Sequence, residues 1–252
     1  MRAMILAAGV GNRLQGAGHD GPKALLRFGG KSLLARHVAL LRAVGVSDIV
    51  VATGFAAAAI EAALAELDCA PPVRCVHNPD FHLGSAVTFW SLRDEAQGGR
   101  DILLMDADVL YDRRMLEPLL NTRHPNCFLL DRNFEPGEEP MKLAVKGEQL
   151  IEYRRHLTTE PETVGESVGF FRLSASMAAR LATRCRALID GGQPDEGYET
   201  ALGDLLDEDC SAFGYEDVTG LPWTEIDFPE DVERAERKIL PALQDDELLS
   251  RT

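Results

Sequence analysis

The stretch AMILAAGVGNRL, residues 3–14, decides the fold of this chain. It opens with a continuous apolar run at 3–8, which is typical of a strand buried on both faces. The run breaks into Gly-Val-Gly at 9–11, and a Pro-Lys pair follows at 22–23. A glycine turn after a strand lets backbone N–H groups approach an anion closely. The pattern therefore predicts a phosphate-binding loop at the carboxyl end of the first strand of an open α/β sheet.

Two other phosphate-binding motifs fail in this region. A dinucleotide fingerprint, G-x-G-x-x-G, would start at Gly9 and Gly11 but meets Leu14 where the third glycine should stand. A P-loop ending in the Gly-Lys-Ser at 30–32 would need a glycine at Leu25. The segment 30–32 is therefore interpreted as a turn followed by a helix cap.

Two cations complete the predicted loop. Arg13 and Lys23 can neutralise a triphosphate as charge-assisted partners. Pro22 restricts the backbone before Lys23 and helps to fix where that side chain points. The sequence thus predicts Arg13 and Lys23 as catalytic residues of a phosphoryl-transfer site.

The first part of the chain alternates strands with helices. Ser32 and Ser85 are expected to cap two of the helices. The strands are predicted at 3–8, 48–53, 73–78 and 101–108, and the helices at 32–45, 56–67 and 85–96. This alternation predicts an α/β fold with a Rossmann-like, mostly parallel sheet flanked by helices.

The second part of the chain mixes strands and helices. Strands are predicted at 127–131, 141–145, 149–154 and 167–173, with a hairpin turn at 147–148, and helices at 176–189, 198–208 and 229–240. No linker-like boundary is found, so residues 1–252 are expected to form a single domain. Its first half, 1–125, would bind the nucleotide, and 126–252 would form a small mixed β/α substrate lobe.

Composition narrows the function classes. The 252 residues are 45% hydrophobic and carry a formal net charge of -15. This acidic excess argues against a protein that binds nucleic acid. The five cysteines show no Cys-x-x-Cys spacing, which favours reduced thiols and a cytoplasmic protein. Neither a signal peptide nor a membrane span is predicted. The sequence leaves a homodimer open.

Residues 6–13 (LAAGVGNR) and 22–23 (PK) resemble the nucleotidyltransferases that activate sugar phosphates and small alcohol phosphates. The segments GSA (84–86), MDADVLY (105–111) and PWTEIDFPEDVERAE (222–236) extend the resemblance over the whole chain. It implies the nucleotide-diphospho-sugar transferase fold and a Mg²⁺-dependent transfer from a nucleoside triphosphate.

The resemblance also implies roles for individual residues. Asp108 and Asp227 would bind Mg²⁺, and oxygen ligands suit that ion. Asp106 would either support the site or contact the ribose. The remaining nucleotide contacts implied are Ala7, Ala8, Gly9, Gly11, Gly84 and Ser85.

The segments EPMKLAV, LIEYRRHL and GESVGFFRLS resemble the branch of phosphocholine and aminoethylphosphonate cytidylyltransferases. This implies CTP as the donor and a small phosphate or phosphonate as the acceptor, with Lys142 on the phosphorus group. An ammonium group favours aromatic faces and carboxylates, so Tyr198, Glu199 and Glu166 are expected beside it. Among the other aromatic residues, at most one of Phe170 and Phe171 can face a pocket.

Three alternatives stay open on the sequence alone. Inositol-1-phosphate is a second acceptor within the cytidylyltransferases, and a sugar 1-phosphate would follow from the hexose branch. A nucleotide-binding regulatory relative without catalysis is a hypothesis of another class. The survival of Arg13, Lys23, Asp108 and Asp227 favours an enzyme.

Overall fold

The computed structural model describes residues 1–14, 21–67, 69–134 and 140–244. Its strands are, in chain order, β1 (Arg2–Ala7), β2 (Arg27–Phe28), β3 (Lys31–Ser32), β4 (Ile49–Thr53), β5 (Arg74–His77), β6 (Ile102–Asp106), β7 (Val109–Tyr111), β8 (Cys127–Asp131), β9 (Lys142–Lys146), β10 (Gln149–Arg154), β11 (Thr163–Leu173), β12 (Gly214–Asp217) and β13 (Trp223–Glu225). Its α-helices are α1 (Leu33–Ala43), α2 (Ala57–Ala65), α3 (Ser85–Ser91), α4 (Arg93–Ala96), α5 (Leu116–Asn121), α6 (Ala175–Asp190), α7 (Tyr198–Glu208) and α8 (Pro229–Arg234).

Nine of these strands form one sheet whose main path runs β10-β9-β11-β6-β1-β4-β5. The strands β6, β1, β4 and β5 are parallel, and β11 joins β6 in the antiparallel sense. Because β1 and β6 run side by side, their carboxyl ends meet at the same edge, with Leu6 opposite Asp106. The sheet therefore places the start of the predicted phosphate loop beside Asp106 and Asp108.

Strand β11 connects the two predicted halves. Its first residues pair with β9, its last residues pair with β6, and β8 pairs with both of its ends. The pairing with β8 shifts register between Ser167 and Phe171. Gly169 lies in this break with φ of +79°, and a Cβ there would stand 2.5 Å from Asp106 Oδ2. The bend thus needs a glycine, because another residue would be strained and would collide with Asp106.

The apolar core lies on both faces of the sheet. On one face, α3, α6 and α7 pack around Phe89, Leu181 and Leu202. On the other face, α1 and α5 contribute Leu34 and Leu116. Burial of a Leu or Phe side chain stabilises the fold by about 1.5–3 kcal/mol, so these two layers fix the sheet that positions the site.

The predicted α/β fold is confirmed, and Ser32 caps α1 by accepting a hydrogen bond from the Ala35 N–H at 3.2 Å. The hairpin at 147–148 is also confirmed, because β9 and β10 pair on either side of it. The single helix predicted at 85–96 is wrong: the helical backbone breaks at Leu92 and gives α3 and α4. Gly84 is the N-cap of α3, so Ser85 does not cap it.

The last predicted helix, 229–240, is also interrupted. Pro229 stands at the first turn of α8 as expected, but α8 ends at Arg234. A π-helical turn, Ala235–Ile239, and a 3-10 turn, Leu240–Ala242, continue the chain. A proline at 241 lacks the N–H donor of a regular helix, which explains the tightened end.

Candidate active site

The predicted phosphate loop borders a small cavity of 110 Å³ at the carboxyl ends of β1 and β6. Ala7, Gly9, Gly11 and Lys23 line it together with Asp108. Gly11 has φ of +66°, and a Cβ there would lie 3.0 Å from Cγ of Lys23. The glycine therefore lets the lysine stem pass directly against the loop backbone.

Ala8 has a different surrounding. Its side chain is buried, and its carbonyl accepts a hydrogen bond from the Phe55 N–H at 3.0 Å. This contact ties the start of the loop to the end of β4. The nucleotide contact of Ala8 stays a prediction.

Three carboxylates meet beside the small cavity. Asp108 lies in the turn between β6 and β7, and Glu225 and Asp227 come from the end of β13 and the residues after it. Their oxygen atoms lie within 4.8 Å of one another. The strands explain this meeting: β13 pairs with β7, and the Ile226 N–H donates to the Asp108 carbonyl at 3.0 Å. We call this group the carboxylate cluster.

Sequence reasoning missed Glu225. A signal was present, since TEID places Glu225 two residues before Asp227, and alternate residues of a strand share a face. The stretch before Asp227 was predicted to be strand-like, but the strand spans only Trp223–Glu225, which is too short for alternation to show which side Glu225 faces. Sequence analysis therefore found two of the three members of the cluster.

Lys23 lies between the two predicted metal ligands. Its ammonium donates to Asp108 Oδ2 at 3.0 Å and also to Asp227 Oδ1. Burial alone would lower the pKa of Lys23, but the charges of Asp108 and Asp227 outweigh burial and raise it. The Lys23 ammonium thus lies among carboxylate oxygen atoms. Mg²⁺ prefers oxygen ligands of this kind, so the carboxylate cluster fits that ion.

Arg13 reaches the same cluster from the loop. Its Nη1 donates to Asp227 Oδ2 at 3.2 Å, and its guanidinium lies 5.0 Å from the centre of the Phe228 ring. The structure therefore brings together Arg13, Lys23, Asp108 and Asp227 from three separate parts of the sequence.

Asp106 is linked to the start of α7. The Tyr198 hydroxyl donates to Asp106 Oδ2 at 2.8 Å, and the Ser85 hydroxyl donates to Glu199 Oε2 at 2.9 Å. Burial, followed by the charge of Glu199, raises the pKa of Asp106 well above its usual value. Four predicted site residues thus form one hydrogen-bonded group between the carboxylate cluster and α7.

Gly84 meets the chain before α7. Its N–H donates to the Pro194 carbonyl at 2.9 Å, and a Cβ would lie 2.1 Å from the Glu196 carbonyl oxygen. The close approach of these two backbones explains the glycine. A contact of Gly84 with the base stays a prediction.

A cavity of 540 Å³, which we call the large cavity, opens beside Glu199. One wall is formed by residues 153–156 and the other by residues 195–197 and 199–200, with Ser85 and Met141 between them. Lys142 is not a lining residue, but its ammonium donates to the carbonyl of the lining residue Arg155 at 2.6 Å. The predicted acceptor residues Lys142 and Glu199 therefore both belong to the surroundings of this cavity.

A second cavity, which we call the acidic cavity, has a volume of 230 Å³. Its walls include Asp131, Glu166, Glu225, Asp227 and Arg234. Burial, together with the nearby charge of Asp131, raises the pKa of Glu166 to about 7. Glu166 thus lines the acidic cavity and Glu199 the large cavity, and the structure does not place the two in one cavity.

The aromatic residues expected around the acceptor are mostly core residues. The Tyr198 ring is 1% exposed and packs edge-on against Phe171, so its hydroxyl supports Asp106 and does not line the large cavity. Phe170 and Phe171 are both fully buried. Trp223 is 7% exposed and donates from Nε1 to Asp131 at 2.7 Å. The ring of Tyr198 therefore does not provide the open aromatic face that an ammonium group would need.

In the ranges that the structure describes, no helix has both the length and the apolar character needed to cross a bilayer.

Comparison with known proteins identifies the family of the chain. Residues 3–169 match the MobA-like NTP transferase domain. The chain is 22% identical to the CTP:phosphoglutamine cytidylyltransferase of Campylobacter jejuni, over 92% of this chain and 98% of the relative. It is 25% identical to the CMP-5'-(3-aminopropyl)phosphonate synthase of Streptomyces rubellomurinus, where 99% of this chain spans 40% of the relative.

The fold is also that of a solved structure, the inositol-1-phosphate CTP transferase from T. maritima. The TM-score is 0.74 with 20% identity, covering 99% of this chain and 95% of that one. The family match extends over more than half of the chain and includes the phosphate loop, Lys23 and Asp108. The protein is therefore a nucleotidyltransferase and belongs to the family of MobA-like NTP transferase domains.

Proposed function

We propose that the protein transfers CMP from CTP to a small phosphate or phosphonate that bears an amino group, and releases pyrophosphate. The observation that carries this proposal is the meeting of Arg13, Lys23 and the carboxylate cluster at the end of the phosphate loop. The names of the two relatives, a CTP:phosphoglutamine cytidylyltransferase and a CMP-5'-(3-aminopropyl)phosphonate synthase, support the choice of base and acceptor.

In this reaction an oxygen of the acceptor's phosphorus group attacks the α-phosphorus of CTP. The bond from that phosphorus to the bridging oxygen of the β-phosphate breaks, and pyrophosphate carries away the electron pair. The attacking oxygen is already an anion at neutral pH, so no side chain has to remove a proton. The work of the protein is to position the two anions and to neutralise their charge.

Asp108 and Asp227, with Glu225 beside them, would hold Mg²⁺ in this site. The ion would stabilise the negative charge that develops on the phosphate oxygens. Lys23 and Arg13 add positive charge to the same region, and the backbone at Gly9 and Gly11 provides N–H donors to the phosphates.

The remaining predicted residues divide between the two substrates. Gly84, Ser85 and Asp106 are proposed on the nucleoside side, next to the loop. Lys142 and Glu199 are proposed on the acceptor side, because Glu199 lines the large cavity and the Lys142 ammonium donates to the carbonyl of Arg155, which also lines it. Glu166 is proposed as a second acidic contact, from the acidic cavity.

A screen of acceptors tests the proposal. Pyrophosphate release is measured with Mg²⁺ and CTP, and with UTP or dTTP in its place. The acceptors are phosphocholine, 2-aminoethylphosphonate, inositol 1-phosphate and glucose 1-phosphate. We expect turnover with CTP and the amino-bearing acceptor 2-aminoethylphosphonate. Faster turnover of either 1-phosphate would contradict the proposed acceptor, and a preference for UTP or dTTP would contradict the proposed base.

A further inference from the structure

The two walls of the large cavity carry opposite charges. Arg154, Arg155 and His156 lie on one wall, and Asp195, Glu196 and Glu199 lie on the other. We propose that this cavity binds an acceptor with both an ammonium and a carboxylate group, a phosphorylated or phosphono amino acid. The ammonium would face Glu199 and the carboxylate would face Arg155. This inference rests on the proposed function and names the chemical class of its acceptor.

The acidic wall is built around a fixed carboxylate. Glu199 stands in the first turn of α7, where the Ser85 hydroxyl donates to its Oε2 at 2.9 Å. The same hydroxyl accepts a hydrogen bond from the Tyr198 N–H at 3.0 Å, so Ser85 locks the turn and the side chain together. Burial raises the pKa of Glu199, and the charge of Arg155 opposes that rise. A bound ammonium would offset the burial of this carboxylate in the same way.

In the lining segment 153–156, which we call the basic wall, Arg155 is the residue that we expect to bind the carboxylate. Arg154 pairs with Asp207 and Asp204 of α7. Arg155 is exposed at the cavity, and its carbonyl is held by Lys142 at 2.6 Å. A guanidinium binds a carboxylate through two parallel hydrogen bonds, which suits the end group of an amino acid.

The surface of the large cavity also distinguishes between kinds of ammonium group. Among its described lining residues, Tyr153 alone has a phenyl ring, and that residue is only 2% exposed. A quaternary ammonium is normally held by aromatic faces. A primary ammonium donates hydrogen bonds, which the acidic wall can accept. The cavity therefore fits a primary amine better than a choline group.

The position of the cavity fits a small acceptor. Glu199 directly follows Tyr198, whose hydroxyl donates to Asp106 at 2.8 Å, and Asp106 lies two residues before Asp108 of the carboxylate cluster. An amino acid held between Glu199 and Arg155 would thus present its phosphorus group toward the cluster. A volume of 540 Å³ lies within the range of small-molecule sites, about 300–1,000 Å³.

The test uses acceptor pairs that differ by one carboxylate. O-phospho-L-serine is compared with O-phosphoethanolamine, and 2-amino-3-phosphonopropionate with 2-aminoethylphosphonate, all with CTP and Mg²⁺. A third compound, 3-phosphonooxypropanoate, keeps the carboxylate of phosphoserine and lacks its amine. We expect kcat/KM to be at least about tenfold higher for the amino acid in each pair. The acceptor without the carboxylate loses the contact with Arg155.

Variants identify the residues responsible. Arg155→Leu is expected to bring kcat/KM for phosphoserine down to that of phosphoethanolamine measured with the same variant, because the contact with the carboxylate is lost. Arg123→Leu, an exposed arginine outside the cavity, is the matched control and keeps the preference.

The outcomes separate this inference from the proposed function. Equal or better turnover of phosphoethanolamine, 2-aminoethylphosphonate or phosphocholine would overturn the inference and leave cytidylyl transfer standing. A preference that survives in Arg155→Leu would also overturn it. No pyrophosphate release from CTP with any acceptor would overturn the proposed function and the inference together.

Discussion

At the scale of single residues, Lys23 holds like charges together. Asp108 and Asp227 would repel one another, and the ammonium between them offsets that repulsion. We expect the same ammonium to meet the phosphates of a nucleotide at the loop, so that one side chain would serve both the resting site and the substrate.

We predict that Lys23→Met lowers kcat/KM by about 100-fold or more, because a fixed cation facing the developing charge is lost. Lys31→Met is the control, since Lys31 begins the short strand β3 and borders a separate groove beside α1. Steady-state kinetics with CTP compare the two variants. Equal losses would show that the Gly-Lys-Ser segment at 30–32 binds the phosphates instead.

Glu225 is expected to share the metal with the two aspartates. We predict that Glu225→Gln raises the Mg²⁺ concentration needed for half-maximal activity by about tenfold or more, since one charged oxygen ligand is lost. Metal binding is measured directly by calorimetry, and Glu216→Gln on β12 is the control. An unchanged Mg²⁺ requirement would remove Glu225 from the metal site.

At the scale of elements, the segment after β10 is held by one carboxylate. Glu152 is 2% exposed and accepts hydrogen bonds from the N–H and hydroxyl groups of Thr158 and Thr159, at 2.6–3.1 Å. Burial alone would raise the pKa of Glu152, but these hydrogen bonds outweigh it and lower the pKa. Arg155 and His156 lie in the loop between Glu152 and Thr158, so the hydrogen bonds that Glu152 accepts fix the basic wall of the large cavity.

We predict that Glu152→Ala raises the acceptor KM by about tenfold while the CTP KM changes by less than about twofold, because only the acceptor side loses its support. Glu152→Gln keeps an acceptor oxygen and is expected to recover part of the loss. Glu148→Ala, an exposed residue of the hairpin turn, is the control. A parallel rise of both KM values would indicate general damage to the fold.

The alternation of elements was predictable from sequence where apolar runs are long. The strands at 127–131 and 149–154 and the helix at 198–208 were predicted with the bounds that the structure has. Short elements carry too little periodicity, and β7, β12 and α5 were missed. The stretch before Asp227 was predicted to be strand-like but without bounds, so Glu225 was not recognised as a member of the carboxylate cluster.

The candidate site was predictable where residues lie in motifs, as at 6–13 and 22–23. The environment of Tyr198 was not predictable, because its spacing from Glu199 does not tell which side of α7 faces the core. The burial of Tyr198 follows from the packing of α7 against α3 and β11, which involves contacts distant in sequence. The large cavity likewise forms between residues 153–156 and 195–200, which no local pattern connects.

At the scale of the whole molecule, His37 couples stability to pH. It is fully buried in α1 against Tyr111 and Phe170, and burial lowers the pKa of His37 to about 4. In the unfolded chain its pKa is about 6.5. Between these values the unfolded state binds more protons than the folded state. His37 therefore lowers the stability as the pH falls from about 6.5 to about 4.

We predict that the free energy of unfolding loses up to about 1.4 kcal/mol per pH unit in that window through His37. Urea unfolding of the wild type and of His37→Phe measures this as the difference between their pH slopes. Identical slopes for wild type and His37→Phe would contradict the prediction.

The bend at Gly169 has a genetic consequence. Every missense change of a glycine codon adds a Cβ, and here that atom would meet Asp106 at a backbone angle that disfavours side chains. In a saturation-mutagenesis selection for activity, we expect no substitution to survive at Gly169. Gly192 has a similar φ of +80° but open space around it, so asparagine is expected to survive there. One codon thus determines whether β11 can bend where the two predicted halves of the chain meet in the sheet.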